Sequence, residues 1–232
     1  MTRNRNTALR RFLFSSLGKI PGKIGLKFRR KFRRLFWKEN EAKFIEALEQ
    51  TKGMVQIDLG ANVGQFTEIM ASYGGPVHSF EPDPWTCERL REKVGSRDNV
   101  FIHQAAAGNR DGSIKFFRRI DFGNAPLKRS QAASTIASKI NMDHQNSLDV
   151  TEVDLARFLA ELDGEVGVLK IDIEGAEVPL LEHLLESPAL QRIHYVFCET
   201  HETMIDELAD RTEELRARVS KIQRPVFNMD WH

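Results

Sequence analysis

Val55-Gln56-Ile57-Asp58-Leu59-Gly60-Ala61-Asn62-Val63-Gly64-Gln65-Phe66 reads as a buried strand that breaks into a glycine turn and then opens a helix. Gly60 and Gly64 admit backbone angles that a side chain would forbid, and Asn62 tolerates left-handed geometry better than most residues. Farther on, Ser79-Phe80-Glu81-Pro82 places a carboxylate 23 positions after Asp58. A second strand that ends in an acid at about that distance is where a nucleotide ribose is held. The two segments predict a cofactor pocket before any substrate is considered.

Charges around the turn narrow the ligand. The dinucleotide fingerprint is G-x-G-x-x-G, with a helix N-terminus aimed at a pyrophosphate. Here the spacing is Gly60-x-x-x-Gly64, Asn62 stands where a middle glycine would be, and Asp58 closes the strand. A carboxylate there repels a pyrophosphate and attracts a cation. S-adenosylmethionine carries an ammonium, a sulfonium and a ribose but no phosphate, so it suits these charges better than NAD does.

The chain has 232 residues, 41% hydrophobic and 29% charged, which suits one α/β domain with an appendage. No apolar run approaches the ~20 residues that a membrane span needs. Cys87 and Cys198 lie far apart, without the spacing of a disulfide framework or a zinc site, and fit a reducing cytoplasm. The net charge of +1 hides an asymmetry. Residues 1–38 hold 13 Lys and Arg and no acid, whereas residues 39–232 hold 21 Lys and Arg against 33 Asp and Glu. The expected division is a basic arm at 1–38 and an acidic domain at 39–232. In the arm, Leu26, Phe28, Phe32, Leu35 and Phe36 alternate with basic clusters at roughly helical spacing. Such a helical arm can lie on anionic lipid, contact nucleic acid, or pack on the domain with its basic side in water. Lipid contact would hold a cytoplasmic protein on the inner membrane face. Nucleic acid is the least favoured of the three.

Strand patterns at 54–59, 77–80, 100–103, 166–171 and 194–198 alternate with helical patterns at 64–73, 84–94, 154–162, 176–185 and 202–219, after a leading helix at 39–50. That alternation predicts a doubly wound, mostly parallel, Rossmann-like α/β sheet. Residues 112–117 read as a short extra strand, 150–153 as the lead into a helix, and 225–231 as one more strand. Residues 119–147 form a long polar stretch, a candidate substrate lid with Ser134 and Thr135 as contacts. Ligands of such sheets bind beyond the carboxyl ends of the strands, where strand order reverses. Asp58, Glu81, Gln104, Asp172 and Glu199 stand at those ends and are expected to share one rim.

The second concentration of polar groups is Lys170-Ile171-Asp172-Ile173-Glu174-Gly175-Ala176-Glu177. Strand alternation puts Lys170, Asp172 and Glu174 on one side, and Gly175 allows a turn into a helix. Methyl transfer from a sulfonium is an in-line displacement. It needs the accepting oxygen near the methyl carbon and a base for the proton. Asp172 and Glu174 are candidates, whereas Glu177 can instead sit at a helix N-terminus for the sake of the dipole. Glu199-Thr200-His201 offers a histidine that can act as a base near neutral pH, or a Thr200 cap for the next helix. Acidic clusters also hold magnesium, but this spacing demands no metal and none is expected.

These segments resemble the FkbM family of S-adenosylmethionine-dependent methyltransferases. The matching pieces are 57–66, Phe80-Glu81-Pro82, Ala105-Ala106-Ala107-Gly108, 169–177 and Glu199-x-His201, and the resemblance spans roughly 53–231. It implies a class I methyltransferase fold and O-methylation, often of sugar or natural-product hydroxyls. The acceptor would be a small molecule or glycan, such as a saccharide, a glycolipid or a natural product. The resemblance carries Asp58, Gly60, Asn62 and Gly64 to the cofactor's amino-acid end, flanked by Gln65 and Phe66. Glu81, followed by Pro82, goes to the ribose, and Gln104-Ala105 to the adenine. Asp172, Glu174 and His201 are the catalytic candidates. The family fold ends in a reversed strand pair where one clear strand remains here, and the basic arm lies outside the family pattern. Two other readings stay open: an NAD-dependent oxidoreductase, and a non-catalytic ligand-binding domain associated with membrane or nucleic acid. The Asn-Pro-Pro-Tyr type of motif that marks many amino-directed nucleic-acid methyltransferases is absent.

Overall fold

The apolar strand runs pair as their periodicity requires. The computed structural model describes residues 13–14, 16–17, 28, 35–130, 133–136, 139, 142–143, 145, 147–202 and 205–231, so most of the basic arm lies outside the described residues. In chain order the strands are β1 (Val55–Leu59), β2 (Val77–Phe80), β3 (Val100–His103), β4 (Ala106–Gly108), β5 (Gly112–Phe116), β6 (Leu148–Asp154), β7 (Val166–Ile171), β8 (Ile193–Cys198) and β9 (Val226–Asn228). The helices are α1 (Trp37–Gln50), α2 (Gln65–Ala71), α3 (Pro84–Val94), α4 (Pro126–Arg129), α5 (Leu155–Glu161), α6 (Glu177–Leu185) and α7 (Ala209–Val219).

Six strands form one sheet in the order β3-β2-β1-β7-β8-β9, and every neighbouring pair is parallel. The order reverses between β1 and β7, as expected of a doubly wound sheet. Both of those strands are buried along their whole length, because helices cover both faces. One core joins α5, α6 and α7 to Ile57, Leu59, Leu169 and Ile171. The other joins α1 and α2 to Val77, Val168, Phe197 and Trp231. Phe44 anchors α1 there, its ring 5.7, 5.2 and 4.7 Å from those of Phe66, Phe197 and Trp231. Burying one such side chain stabilises the fold by about 1.5–3 kcal/mol.

Local chemistry sets the element ends. Asp83 caps α3, accepting from the N–H groups of Trp85 and Thr86, with Pro84 in the first turn. Gly64 begins α2 with φ 86°, and a Cβ there would come within 2.7 Å of Leu90 Cδ1. Gly60 has φ 73°, and a Cβ there would sit 1.8 Å from the backbone oxygen of Asp172. What approaches Gly60 so closely is the β7 loop, whereas the sequence pointed to a ligand.

Three features differ from expectation. The strand β4 was not legible, because three small residues carry no alternation. It pairs parallel with β6, which pairs antiparallel with β5, forming a second three-stranded sheet. The helix expected at 202–219 is instead a 3-10 turn at Asp206–Leu208 followed by α7, so among the described residues no helix begins beside Thr200. The stretch 119–147 holds a 3-10 turn at Phe122–Asn124, α4, and bridges from Phe117 to Ser134 and from Arg119 to Met142. Among the described residues no helix is long and apolar enough to cross a membrane.

Candidate active site

A cleft of about 360 Å³ opens at the carboxyl ends of β1, β2 and β7, where strand order reverses. Its lining includes Gly60, Asn62, Gln65, Phe66, Glu81, Pro82, Ala105, Asp172 and Glu174 from the expected set, with Lys170 and Glu199 beside them. Asp58, Gly64, Gln104 and His201 are not in its lining. Gln104 lies outward, its Oε1 accepting from Arg91 Nη2 at 2.9 Å.

Glu81 faces the cleft from the end of β2 and is 6% exposed. Its Oε2 accepts from Asn62 N–H at 3.0 Å and its Oε1 from Asp83 N–H at 2.9 Å. Asn62 aims its N–H there by taking φ 49°, and its own Oδ1 accepts from Val63 N–H. Burial pushes the Glu81 carboxyl up to about 8, against the pull of the two N–H groups and the charge of Lys170.

Asp58 lies behind the cleft. It is fully buried, accepts from Thr67 Oγ1 at 2.8 Å and pairs with Lys170 Nζ at 3.1 Å. That lysine neutralises it, so it is not the group that would draw a cation into the cleft. Lys170 also donates to the Gly60 carbonyl at 3.1 Å and lies under the Phe66 ring, 5.3 Å from its centroid. Burial alone would lower its pKa, but Asp58 and Asp172 raise it above the ordinary lysine value. The acids that line the rim are Glu81, Asp172, Glu174 and Glu199.

Strand β7 stops at Ile171, so Glu174 reaches the cleft by a left-handed turn and not by alternation. Its φ is 57°, a conformation that costs a non-glycine residue on the order of 1–3 kcal/mol. Three neighbours hold it. Ser134 Oγ donates to the Glu174 carbonyl at 2.7 Å, Lys139 pairs with Oε2, and His201 Nε2 lies 3.2 Å from Oε2. Glu177, fully buried, accepts from the N–H groups of Ile173 and Gly175. It therefore ties down the loop as well as starting α6. Asp172 Oδ1 is buried and accepts no hydrogen bond among the described residues. Burial holds the Asp172 carboxyl well above the usual aspartate range.

His201 is 5% exposed and ringed by acids. Its Nδ1 lies 2.9 Å from Glu177 Oε1, and its Nε2 lies 3.9 Å from both Asp172 Oδ1 and Glu199 Oε1. Burial would lower its pKa, but the charges of Glu177, Glu174 and Asp172 and the hydrogen bond to Glu177 raise it to about 10. At neutral pH the ring is an imidazolium that donates, whereas the sequence suggested a base. Asp172, Glu199 and His201 also bring one potential ligand atom each within 4.8 Å of one another. The spacing in sequence suggested no metal; the fold does gather these three side chains, but His201 would have to give up a proton before it could ligate one.

A raised histidine pKa contributes stability that is complete below about 6.5 and is lost as pH rises through about 10. Urea midpoints of the full chain will therefore fall across that window. In His201→Gln the slope will flatten, and stability at pH 7 will drop by about 3–5 kcal/mol because buried acids lose their partner. An unchanged pH slope in the variant would show that the ring is neutral.

Sequence reasoning missed Ser130, Ala133 and Phe116 in the lining, and Arg118 and Lys139 behind it. All come from β5 or the segment that follows it, folded back over the cleft, and no local pattern marks them. Thr135, expected as a lid contact, lines the cleft, and Ser134 instead braces Glu174.

Residues 58–223 match the family model for the methyltransferase FkbM domain. The curated Methyltransferase 1 of Beauveria bassiana (strain ARSEF 2860) is 30% identical over 145 residues, 55% of this chain and 57% of that one. Ribosomal RNA small subunit methyltransferase A of Rubrobacter xylanophilus (strain DSM 9941 / JCM 11954 / NBRC 16129 / PRD-1) is 38% identical over 72 residues, 31% of this chain and 28% of that one. The chain thus spans little more than half the length of the first relative and under a third of the second. Among solved structures, Methyltransferase FkbM from Methylobacillus flagellatus KT is similar with a TM-score of 0.42 at 14% identity, over 93% of this chain and 52% of that one.

Proposed function

The chain belongs to the FkbM methyltransferase family, and from this premise we propose that its cleft binds S-adenosylmethionine and transfers the methyl group to a hydroxyl oxygen. The acceptor would be a saccharide, a glycolipid or a natural product. The observation that carries this reading is Glu81: a buried acid at the end of β2, fixed by two backbone N–H groups, with its carboxylate lining the cleft. A carboxylate accepts the two hydroxyls of a ribose diol, and a phosphorylated cofactor would meet a rim of acids.

The residues present fit such a donor. Glu174 and Glu199 offer charge to its cationic amino-acid end, and Phe80 with Ala105, Ala106 and Ala107 offers an apolar wall to its base. When bound, the donor supplies an electrophilic methyl group on a sulfonium. The chain then has to hold the acceptor in line and take its proton. Glu174 is already engaged by Lys139 and His201 through its side chain and by Ser134 through its carbonyl. Among the described residues Asp172 has an oxygen without a hydrogen-bond partner, and its pKa is raised, so Asp172 is the base in this reading. Lys170 and His201 position it. Calorimetry of the full chain with S-adenosylmethionine tests the assignment. Saturable one-to-one binding is expected; heats no larger than dilution would overturn it.

The rim of acids disfavours a nucleic-acid acceptor, whose phosphates it would repel. For the arm at 1–38, we propose contact with anionic lipid, supported by 13 Lys and Arg without an acid. Ile120 and Leu127, 70% and 61% exposed on the segment over the cleft, would favour the same surface. Flotation with phosphatidylserine vesicles should recover the full chain and lose the form lacking residues 1–38. Equal recovery would sink lipid binding by the arm.

A further inference from the structure

The segment that continues β5 touches both sides of the cleft through neighbouring residues. On one side, Phe117 bridges to Ser134, whose hydroxyl braces the Glu174 carbonyl. On the other, Arg118 forks onto Asp83, with Nε 2.5 Å from Oδ2 and Nη2 2.9 Å from Oδ1. The Arg118 guanidinium lies 4.6 Å from the Phe122 ring centroid, and Phe122 meets Trp85 edge-on at 5.6 Å. The Arg118 carbonyl accepts from Asp143 N–H at 2.8 Å, which fixes its backbone. This is a planar, two-bond clamp with an aromatic floor, the geometry for which arginine is suited and lysine is not.

The clamped residue matters to the cleft. The Asp83 side chain is 2% exposed. It caps α3, and its N–H donates to Glu81 Oε1. Two acids two positions apart in one buried loop cannot both ionise readily without a countercharge. The groups facing Glu81 are Asp83 from its own loop, Lys170 from β7 and Cys87 from α3. His103, whose carbonyl accepts from Glu81 N–H, is held neutral by burial. Lys170 is engaged by Asp58 and Asp172. Arg118 is the cation that meets Asp83 directly.

We propose that Arg118 is a positioning residue for cofactor binding: by neutralising Asp83 it limits the charge repulsion on Glu81 and holds its loop set, so donor affinity depends on the segment that closes over the cleft. This rests on Glu81 being the ribose acceptor. The charge of Asp83 raises the Glu81 pKa, so removing Arg118 raises it further and leaves less carboxylate at neutral pH. Acceptor-side and cofactor-side contacts then share one element, and a shift of that element on acceptor binding would be felt at the ribose.

The test is the pH dependence of S-adenosylhomocysteine binding, measured by calorimetry from pH 6 to 9.5 on the full chain. Wild type should bind more tightly as pH rises through the Glu81 transition near 8. In Arg118→Met the midpoint should move up by about one unit and affinity at pH 7 should fall about tenfold, with the gap closing toward pH 9.5. Arg118→Lys, which keeps the charge but loses the fork, should fall by about threefold. Adding Asp83→Asn to Arg118→Met should return the midpoint toward wild type, because the uncompensated charge is gone. A midpoint that stays put, or a loss of equal size at every pH, would make Arg118 a structural residue and overturn the proposal. If Arg118→Met does not fold, the lysine and double variants still decide it. Titration of the Glu81 carboxyl by carbon NMR, without ligand, separates this proposal from the cofactor reading. Wild type that binds nothing would sink the cofactor reading, and a Glu81 titration unmoved in the Arg118 variants would sink this one.

Discussion

Replacing Asp172 with asparagine will lower methyl transfer by about 10²–10⁴-fold while leaving S-adenosylmethionine affinity within about threefold, if Asp172 takes the acceptor proton. The substitution keeps the shape and removes the capacity to accept a proton. Asp172 is singled out by contrast with Glu174. Both line the cleft, but Glu174 is braced by Ser134, Lys139 and His201, whereas Asp172 Oδ1 is buried without a hydrogen-bond partner among the described residues. Burial raises the Asp172 pKa, and the charge of Lys170 lowers it. A base must be deprotonated, so wild-type turnover should rise with pH through the Asp172 transition, and the variant should lose that rise. The assay is transfer of a labelled methyl group from the donor to extracts of cells that lack the protein. Turnover retained in Asp172→Asn would move the role to another group, and the first to test is Glu199 beside it.

Glu81→Ala is expected to weaken S-adenosylmethionine binding by about 1.5–3 kcal/mol, tenfold to a hundredfold, through loss of hydrogen bonds to a charged acceptor. The variant also leaves the N–H groups of Asn62 and Asp83 without their acceptor, so part of any loss could be a loosened turn. Glu81→Gln separates the two effects: it keeps an acceptor oxygen and loses the charge. It should bind weakly and without the wild-type rise in affinity toward pH 8 and above. Calorimetry at several pH values reads both. Affinity in Glu81→Ala equal to wild type would remove Glu81 from the ribose and with it the main support for this cofactor.

Much of this architecture could be read from local patterns. The run from Val55 to Phe66, Glu81 and the block from Lys170 to Glu177 each join a strand end, a turn and a helix start, and these depend on near neighbours. The parallel sheet followed from the alternation of strands and helices, and its six strands pair as that alternation requires. Ala106–Gly108 was not legible as a strand because its partner, β6, lies more than forty residues later and its own residues carry no period. Glu174 could not be placed by alternation either, since a left-handed residue breaks the strand's period.

Side-chain charge was the part that local pattern misjudged. Asp58 looked like the attraction for a cationic ligand, and His201 looked like a base. Lys170 cancels the first, and a ring of acids from two segments protonates the second. Both outcomes come from pairings across many residues, which sequence order does not disclose. The primary structure by itself determined the strand-and-helix order, the glycine turn and the acids at the strand ends, because these follow from backbone geometry and short-range spacing. Which acids meet the cleft, which are neutralised, and how Arg118 and Lys139 reach it were decided only by the folded chain, because Coulomb forces and burial act through space between residues that are far apart along it.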